Sequence, residues 1–459
     1  MLCPKQTRKI LLFCFLTVTT LTSALNVFAE DIRASNKVTA DDDLGLSQDV
    51  NRQKTFRPVA GRGSSDLLGT SGGYIHPYIS LTGLYSDNIY NASTNEENDY
   101  LTTISPGLML AYPGVKDMHG ASFRTSNPSP GGLVGERASS NSFHRFQTSL
   151  LYQADVESYT DNSSGNMDHH RAEALLQFNL KGGVSFDLAG EYKVSADAFS
   201  GSALLDEYQS DLLDLVVGIK LGSRTDLALG YSGFQLDYDA LRNDGRDRQD
   251  ISYSGRLSFD MSAKTAIFAE YQLIDIDYDF QIFPANEIQN GNVGIKWHHT
   301  AKSSGQLKIG VSSKSHEDAS LADADTDEVF YELQLAHSFS SKTSIDLTGT
   351  RRLTESTVAG TNFIINNQVS LNYRQKLSAK IVANLDTSYY RDEFNGFISV
   401  GPVTAEREDT TILVTPTIDY LTKDWFIVSL SYSLAERDSN FDNYDFTSNS
   451  VFLRLTAYL

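Results

Sequence analysis

The stretch Phe426-Ile427-Val428-Ser429-Leu430-Ser431-Tyr432-Ser433-Leu434 decides the fold. Phe426, Val428, Leu430, Tyr432 and Leu434 occupy one side of a two-residue period, and Ile427, Ser429, Ser431 and Ser433 the other. That period belongs to a β-strand with one apolar and one largely polar face. The same alternation follows Arg224, where Leu227, Leu229 and Tyr231 interleave with Asp226, Ala228 and Gly230. It follows Lys302, with Leu307, Ile309 and Val311 against Gln306, Lys308 and Gly310, and it follows Lys342 in Ile345 and Leu347.

Working outward, each such stretch starts at a short basic turn. The turns fall at Lys181, Arg224, Lys264, Lys302, Lys342, Lys380 and Lys423, spaced 38 to 43 residues apart. Between them the chain runs out along one strand, passes an Asp/Asn/Ser/Gly-rich loop and returns along a second. A propeller blade of similar length needs four short strands packed on both faces. Only two long strands fit here, and half their positions are polar. Strands long enough to cross a bilayer, apolar on one face, with short turns at one end and longer loops at the other, describe a transmembrane barrel. Closure satisfies every backbone edge in lipid, so hairpins should tile the chain.

Eighteen strands are expected between 74–88 and 446–459, with sixteen as the alternative count. The fold class is an all-β, antiparallel, up-and-down transmembrane barrel. In the last strand, Val451, Leu453, Leu455, Ala457 and Leu459 are expected to face lipid, and Phe452, Arg454, Thr456 and Tyr458 the lumen. This strand resembles the terminal signal read by the barrel-insertion machinery, with Leu459 where an aromatic residue is usual.

The 459 residues carry 38 basic and 58 acidic side chains, a formal charge of −20. That balance excludes a nucleic-acid partner, which needs a basic face to displace counterions. No apolar run is long enough for a transmembrane helix. Residues 1–29 combine Lys5, Arg8 and Lys9, an apolar stretch from Ile10 to about Leu25, and Val27-Phe28-Ala29. This reads as a signal peptide cut after Ala29. Three positive charges and no negative ones leave with it, taking the charge from −20 to −23, and both cysteines, Cys3 and Cys14, leave too. The mature protein is thus expected in the bacterial outer membrane without thiols, cofactors or a metal centre. Residues 30–73 read as a polar periplasmic arm, and 74–459 as the barrel with a periplasmic insertion at 113–141. Either segment could plug the channel or dock a periplasmic polysaccharide exporter.

Residues 85–110 include Tyr85, Asp87 and Asn88, followed by Ser105-Pro106-Gly107-Leu108. This hairpin resembles the opening of the putative β-barrel porin 2 family of outer-membrane proteins. The resemblance implies an outer-membrane barrel, often associated with exopolysaccharide machinery, and an exit pore for secreted polymer. A general diffusion or nutrient porin is the alternative, and a barrel-based surface enzyme or adhesin a third reading.

An eighteen-stranded barrel has room for an aqueous channel. Alternation assigns Glu270, Gln272, Lys296, Lys308, Glu332, Gln334, Asp346, Arg352, Asn372, Arg374, Asn384, Asp386 and Arg454 to the lumen. Such a mixture suits hydroxyl-rich solutes. The outer loops are short, and none is expected to fold inward as a constriction. Catalytic chemistry is not expected. His169-His170 and His298-His299 are strand neighbours pointing to opposite faces. Asp323, Asp325 and Asp327 imitate a calcium loop, but Glu328 stands where that loop needs glycine.

Overall fold

The computed structural model describes residues 73–115, 145–198, 205–239, 245–279, 285–300, 302–316, 325–356, 361–400, 402–423 and 425–458. The expected signal peptide, the N-terminal arm and nearly all of the 113–141 insertion lie outside the described residues. The chain runs β1 (Gly73–Ser86), β2 (Asp99–Val115), β3 (Phe146–Tyr159), β4 (Met167–Asn179), β5 (Val184–Ala198) and β6 (Leu205–Lys220). There follow β7 (Thr225–Tyr238), β8 (Arg248–Ser262), β9 (Thr265–Tyr278), β10 (Asn286–Thr300), β11 (Ser303–His316) and β12 (Thr326–Ser340). The last third holds β13 (Thr343–Thr354), β14 (Phe363–Lys376), β15 (Ile381–Asn395), β16 (Ile398–Val400), β17 (Val403–Ala405), β18 (Glu408–Lys423), β19 (Phe426–Ser439) and β20 (Phe446–Tyr458).

Eighteen of these strands form one sheet in which every strand pairs antiparallel with its neighbours in the chain. β15 pairs directly with β18, because β16 and β17 form a separate small hairpin in the intervening loop. The sheet closes where β1 meets β20, from Tyr78 opposite Tyr458 to Ser86 opposite Ser450. The expected count of eighteen is therefore observed.

Tight turns join the strands at one end. The turn Lys181-Gly182-Gly183 needs glycine because both glycines have positive φ, 102° and 86°. A Cβ on Gly183 would also lie 2.7 Å from Cβ of Lys220. By the rule for outer-membrane barrels, this end is periplasmic and the end with longer loops faces outward.

Alternation sorts the two faces of the wall. Ile79, Leu81, Leu229, Tyr253, Val293, Ile309, Leu430 and Leu453 are all exposed and form the lipid-facing band. On β20, Val451 and Leu453 are exposed while Phe452, Thr456 and Tyr458 are buried, as expected from the sequence. Pro77, Pro106, Pro113 and Pro416 sit within barrel strands, each unable to donate to a ladder. Pro106 pairs with Ile79 on β1, but the β2–β3 ladder skips from Ile104–Val156 to Gly107–Gln153. Pro416 pairs with Leu385 on β15, and the β18–β19 ladder skips from Val414–Leu434 to Thr417–Ser431.

Candidate functional site

The inner wall carries its chemistry in a band at mid-height across β8–β12. Adjacent ladders set Arg256 opposite Glu270, Glu270 opposite Asn292, and Lys308 opposite Glu332. Paired residues in antiparallel strands share a face, so these side chains converge. Lys308 Nζ lies 3.3 Å from Glu332 Oε2 and 3.7 Å from Glu270 Oε1. Arg256 approaches Glu270 at 3.7 Å and donates to Gln306 Oε1 at 3.4 Å. Asn292 donates to Glu270 Oε1 at 2.8 Å, Gln272 to Ser252 at 2.9 Å, and Gln334 to Glu332 at 2.5 Å. Arg256 lies on the Phe268 ring, 3.6 Å from its centroid. That ring has room only because residue 294 is glycine: a Cβ there would come within 2.2 Å of Phe268 Cζ.

Two bases and two acids thus neutralise one another in this band. Glu332, with 28% of its side chain exposed, is its most accessible charge. Further round the wall, Asn372 pairs with Asp386, and Asn384 donates to Asp419 Oδ2 at 2.8 Å. Asp346 stands opposite Asn372, Arg374 opposite Asn384, Arg352 opposite Asn366 and Lys296 opposite Gln306. Arg454 donates to Thr82 Oγ1 at 3.0 Å across the closing seam, away from the rest. The structure gathers Glu270, Lys308, Glu332 and Gln334 into one network, while Gln272 bonds separately with Ser252 and Asn290. Arg256, Asn292 and Gln306 complete it. Sequence reading missed these three, although the same alternation on β8, β10 and β11 carries them.

Near the outer end the inner face is not uniformly polar. Ile274, Ile276 and Ile288 pack with Leu353 and Phe363. Tyr208, Leu212, Phe234, Leu236 and Tyr238 form a second apolar cluster. Residues 357–360 of the loop after β13 lie outside the described residues, but its first residue turns to the inner face. Glu355, just past β13, reaches over β12 to inward-facing residues of β9, β10 and β11. It accepts from Tyr278 at 3.0 Å, Asn286 at 3.1 Å and Lys314 at 2.5 Å. Lys314 and Glu355 are 1% and 2% exposed. Leu353 and Phe363, at the two ends of this loop, bury against the β9–β10 wall. Arg407 closes a similar arrangement beside β15 and β18. Its guanidinium lies between the Phe394 and Tyr444 rings, 4.5 and 3.6 Å from their centroids, and pairs with Asp409.

The hairpin that suggested a family has a structural role in barrel closure. Asp87 accepts from the Asn449 backbone at 2.7 Å and side chain at 2.8 Å, on β20. Asn88 donates to Ala92 at 2.8 Å and to Thr447 at 3.1 Å. Gly107 leaves space for Tyr78, whose hydroxyl donates to Gln153 at 2.7 Å; a Cβ at 107 would sit 2.0 Å from that ring. Tyr85 is exposed beside Tyr100, their centroids 4.9 Å apart, Leu108 is exposed, and Ser105 is buried.

The histidine neighbours behave as their spacing demands. His169 faces Glu157 at 3.3 Å, whereas His170 contacts the exposed Tyr152 at 3.0 Å. In the loop before β12, the backbone N–H and the ring of His316 hold the Asp325 carboxyl below its ordinary range. Asp323 lies outside the described residues.

Solved outer-membrane barrels resemble the chain distantly. OpdO of Pseudomonas aeruginosa is 9% identical with a TM-score of 0.44, covering 84% of this chain and 98% of its own. OccAB4 of Acinetobacter baumannii is 10% identical with a TM-score of 0.44, covering 85% and 100%. The siderophore receptor PirA of Pseudomonas aeruginosa is 7% identical with a TM-score of 0.41, covering 87% and 81%. No curated protein sequence matches the chain. The family described as putative beta-barrel porin 2 matches residues 135–459, beginning after the hairpin whose residues first suggested it. That match spans well over half of the sequence, and the chain, a bacterial outer-membrane β-barrel, belongs to the putative beta-barrel porin 2 family.

Proposed function

We propose that this porin is a passive channel for small, uncharged, hydroxyl-rich solutes. The observation that carries the reading is the neutralised band of Arg256, Glu270, Lys308 and Glu332 with Asn292, Gln306 and Gln334. A wall of paired charges and amides offers many exchangeable hydrogen bonds and little net field. Solutes that donate and accept equally, such as small sugars, fit that surface better than ions of either sign. The exit of a secreted exopolysaccharide is supported by the family resemblance alone.

The test is liposome swelling with the purified chain. Rapid swelling in small neutral sugars, with slower entry of charged sugars of similar size, is the expected result. Swelling no faster than in protein-free liposomes refutes the channel. Loss of surface polymer in a deletion strain, together with no swelling in small sugars, would favour the polymer pore instead.

A further inference from the structure

We propose that the ring of basic turns at the periplasmic end binds the anionic headgroups of phospholipids in the inner leaflet of the outer membrane. Lys181, Arg224, Lys264, Lys302, Lys342, Lys380 and Lys423 are all exposed and occupy seven successive turns. Successive turns are two strands apart, hence roughly 10 Å along the rim. In the sequence the only acid within these turns is Asp424, beside Lys423. A chain with 58 acids against 38 bases would not place a base in every turn by composition alone.

Height selects lipid as the occupant. Leu221, Met261, Phe339, Leu377 and Trp425, between 50% and 58% exposed, stand in or beside the same turns. The bases therefore border the apolar band at the level of phosphate groups, where long basic side chains extend into the interface. The outer rim has the opposite sign. Glu97, Asp239, Asp279, Asp325, Glu408 and Asp438 are exposed there, while Arg248, Lys314, Arg407 and Arg437 are buried. Arg391 is exposed at this end as well, but it lies between Glu393 and Glu408, so attraction for anionic headgroups is concentrated at the periplasmic rim.

Both tryptophans of the chain report on this rim. Trp425 has Lys423 Nζ 6.0 Å from its ring, and Trp297 pairs with Thr265 and Gly305 beside two of the turns. The full chain, folded into phosphatidylcholine vesicles, is titrated with brominated phosphatidylglycerol or brominated phosphatidylcholine while tryptophan emission is followed. Phosphatidylglycerol is expected to quench with an apparent affinity about fivefold higher for each basic residue engaged. The preference should shrink as salt shortens the Debye length from about 10 Å to about 3 Å.

In the combined variant K181Q, R224Q, K264Q, K302Q, K342Q, K380Q and K423Q, with strand content verified by circular dichroism, the preference should vanish. Equal quenching by both lipids in the unmodified chain at low salt overturns the proposal. So does a preference that survives the combined variant. Should that variant not fold, K423Q and the salt titration decide, and a preference insensitive to both is equally fatal.

Discussion

Replacing Lys308 by methionine tests whether the mid-height band lines the conducting path. Methionine keeps the length of the stem and removes one positive charge, so the band changes from neutral to one net negative charge. Glu270 keeps Arg256 at 3.7 Å and Asn292 at 2.8 Å, and Glu332 keeps Gln334, so neither acid is stranded. An ion passing about 8 Å from the altered site in water feels about 0.5 kcal/mol, with opposite sign for cation and anion. The two contributions sum to about 1 kcal/mol, so the cation-to-anion permeability ratio should rise about fivefold at low salt. The shift should fade as the Debye length falls towards about 3 Å in molar salt. Reversal potentials in planar bilayers under a potassium chloride gradient measure this ratio. A folded Lys308→Met barrel with an unchanged reversal potential at low salt would remove the band from the path, and with it the argument from wall chemistry to solute class.

Three further perturbations test other parts of the wall. Gly294→Ala places a Cβ 2.2 Å from Phe268 Cζ and 2.6 Å from the Leu307 carbonyl oxygen, of which the second cannot swing away. An overpacking cost of about 1–3 kcal/mol should appear as a lower urea midpoint, and the displaced ring should alter ion selectivity through Arg256. Glu355→Gln leaves Lys314 buried without its anion, a loss of about 3–5 kcal/mol. The outer loop should be released, seen as larger single-channel conductance and faster proteolysis after β13; unchanged values of both would show that the loop does not narrow the mouth. Asp87→Ala removes two charge-assisted hydrogen bonds to Asn449 at the seam, each contributing about 1.5–3 kcal/mol. The folded band in unboiled gel electrophoresis should convert to the unfolded form at a lower temperature.

How much of this wall can be read from sequence depends on whether a residue lies within the two-residue period. Glu270, Lys308 and Glu332 do, and each faces inward where alternation puts it, because a one-residue slip would turn every lipid-facing side chain on its strand into the lumen. The cost of that slip fixes register, and register fixes which polar residues meet across a ladder. The period also specifies Arg256 and Asn292. What it cannot specify is the apolar content of the inner face. Ile274, Ile276 and Ile288 occupy the inner face, and they bury because Leu353 and Phe363 pack against them.

That contact holds the two ends of the loop after β13 to the inner face. Whether a short loop stands in water or turns inward is decided by what its base can bury and by whether its polar groups find partners inside. Glu355 offers one carboxylate to three donors that lie on different strands, Tyr278 on β9, Asn286 on β10 and Lys314 on β11. In sequence these residues are separated by 77, 69 and 41 positions. No local pattern connects them. Their juxtaposition follows from the register of β9 to β13, each strand antiparallel to the next, so that the outer ends of all five come to one rim. The burial of Glu355 is therefore a consequence of strand register, and Ile288 on the wall packs in one cluster with Leu353 and Phe363 at the loop's ends. Ile288→Asn is accordingly expected to free Glu355 although it changes no loop residue. Its conductance should match that of Glu355→Gln, and a conductance equal to the unmodified barrel would separate the apolar cluster from the ion pair.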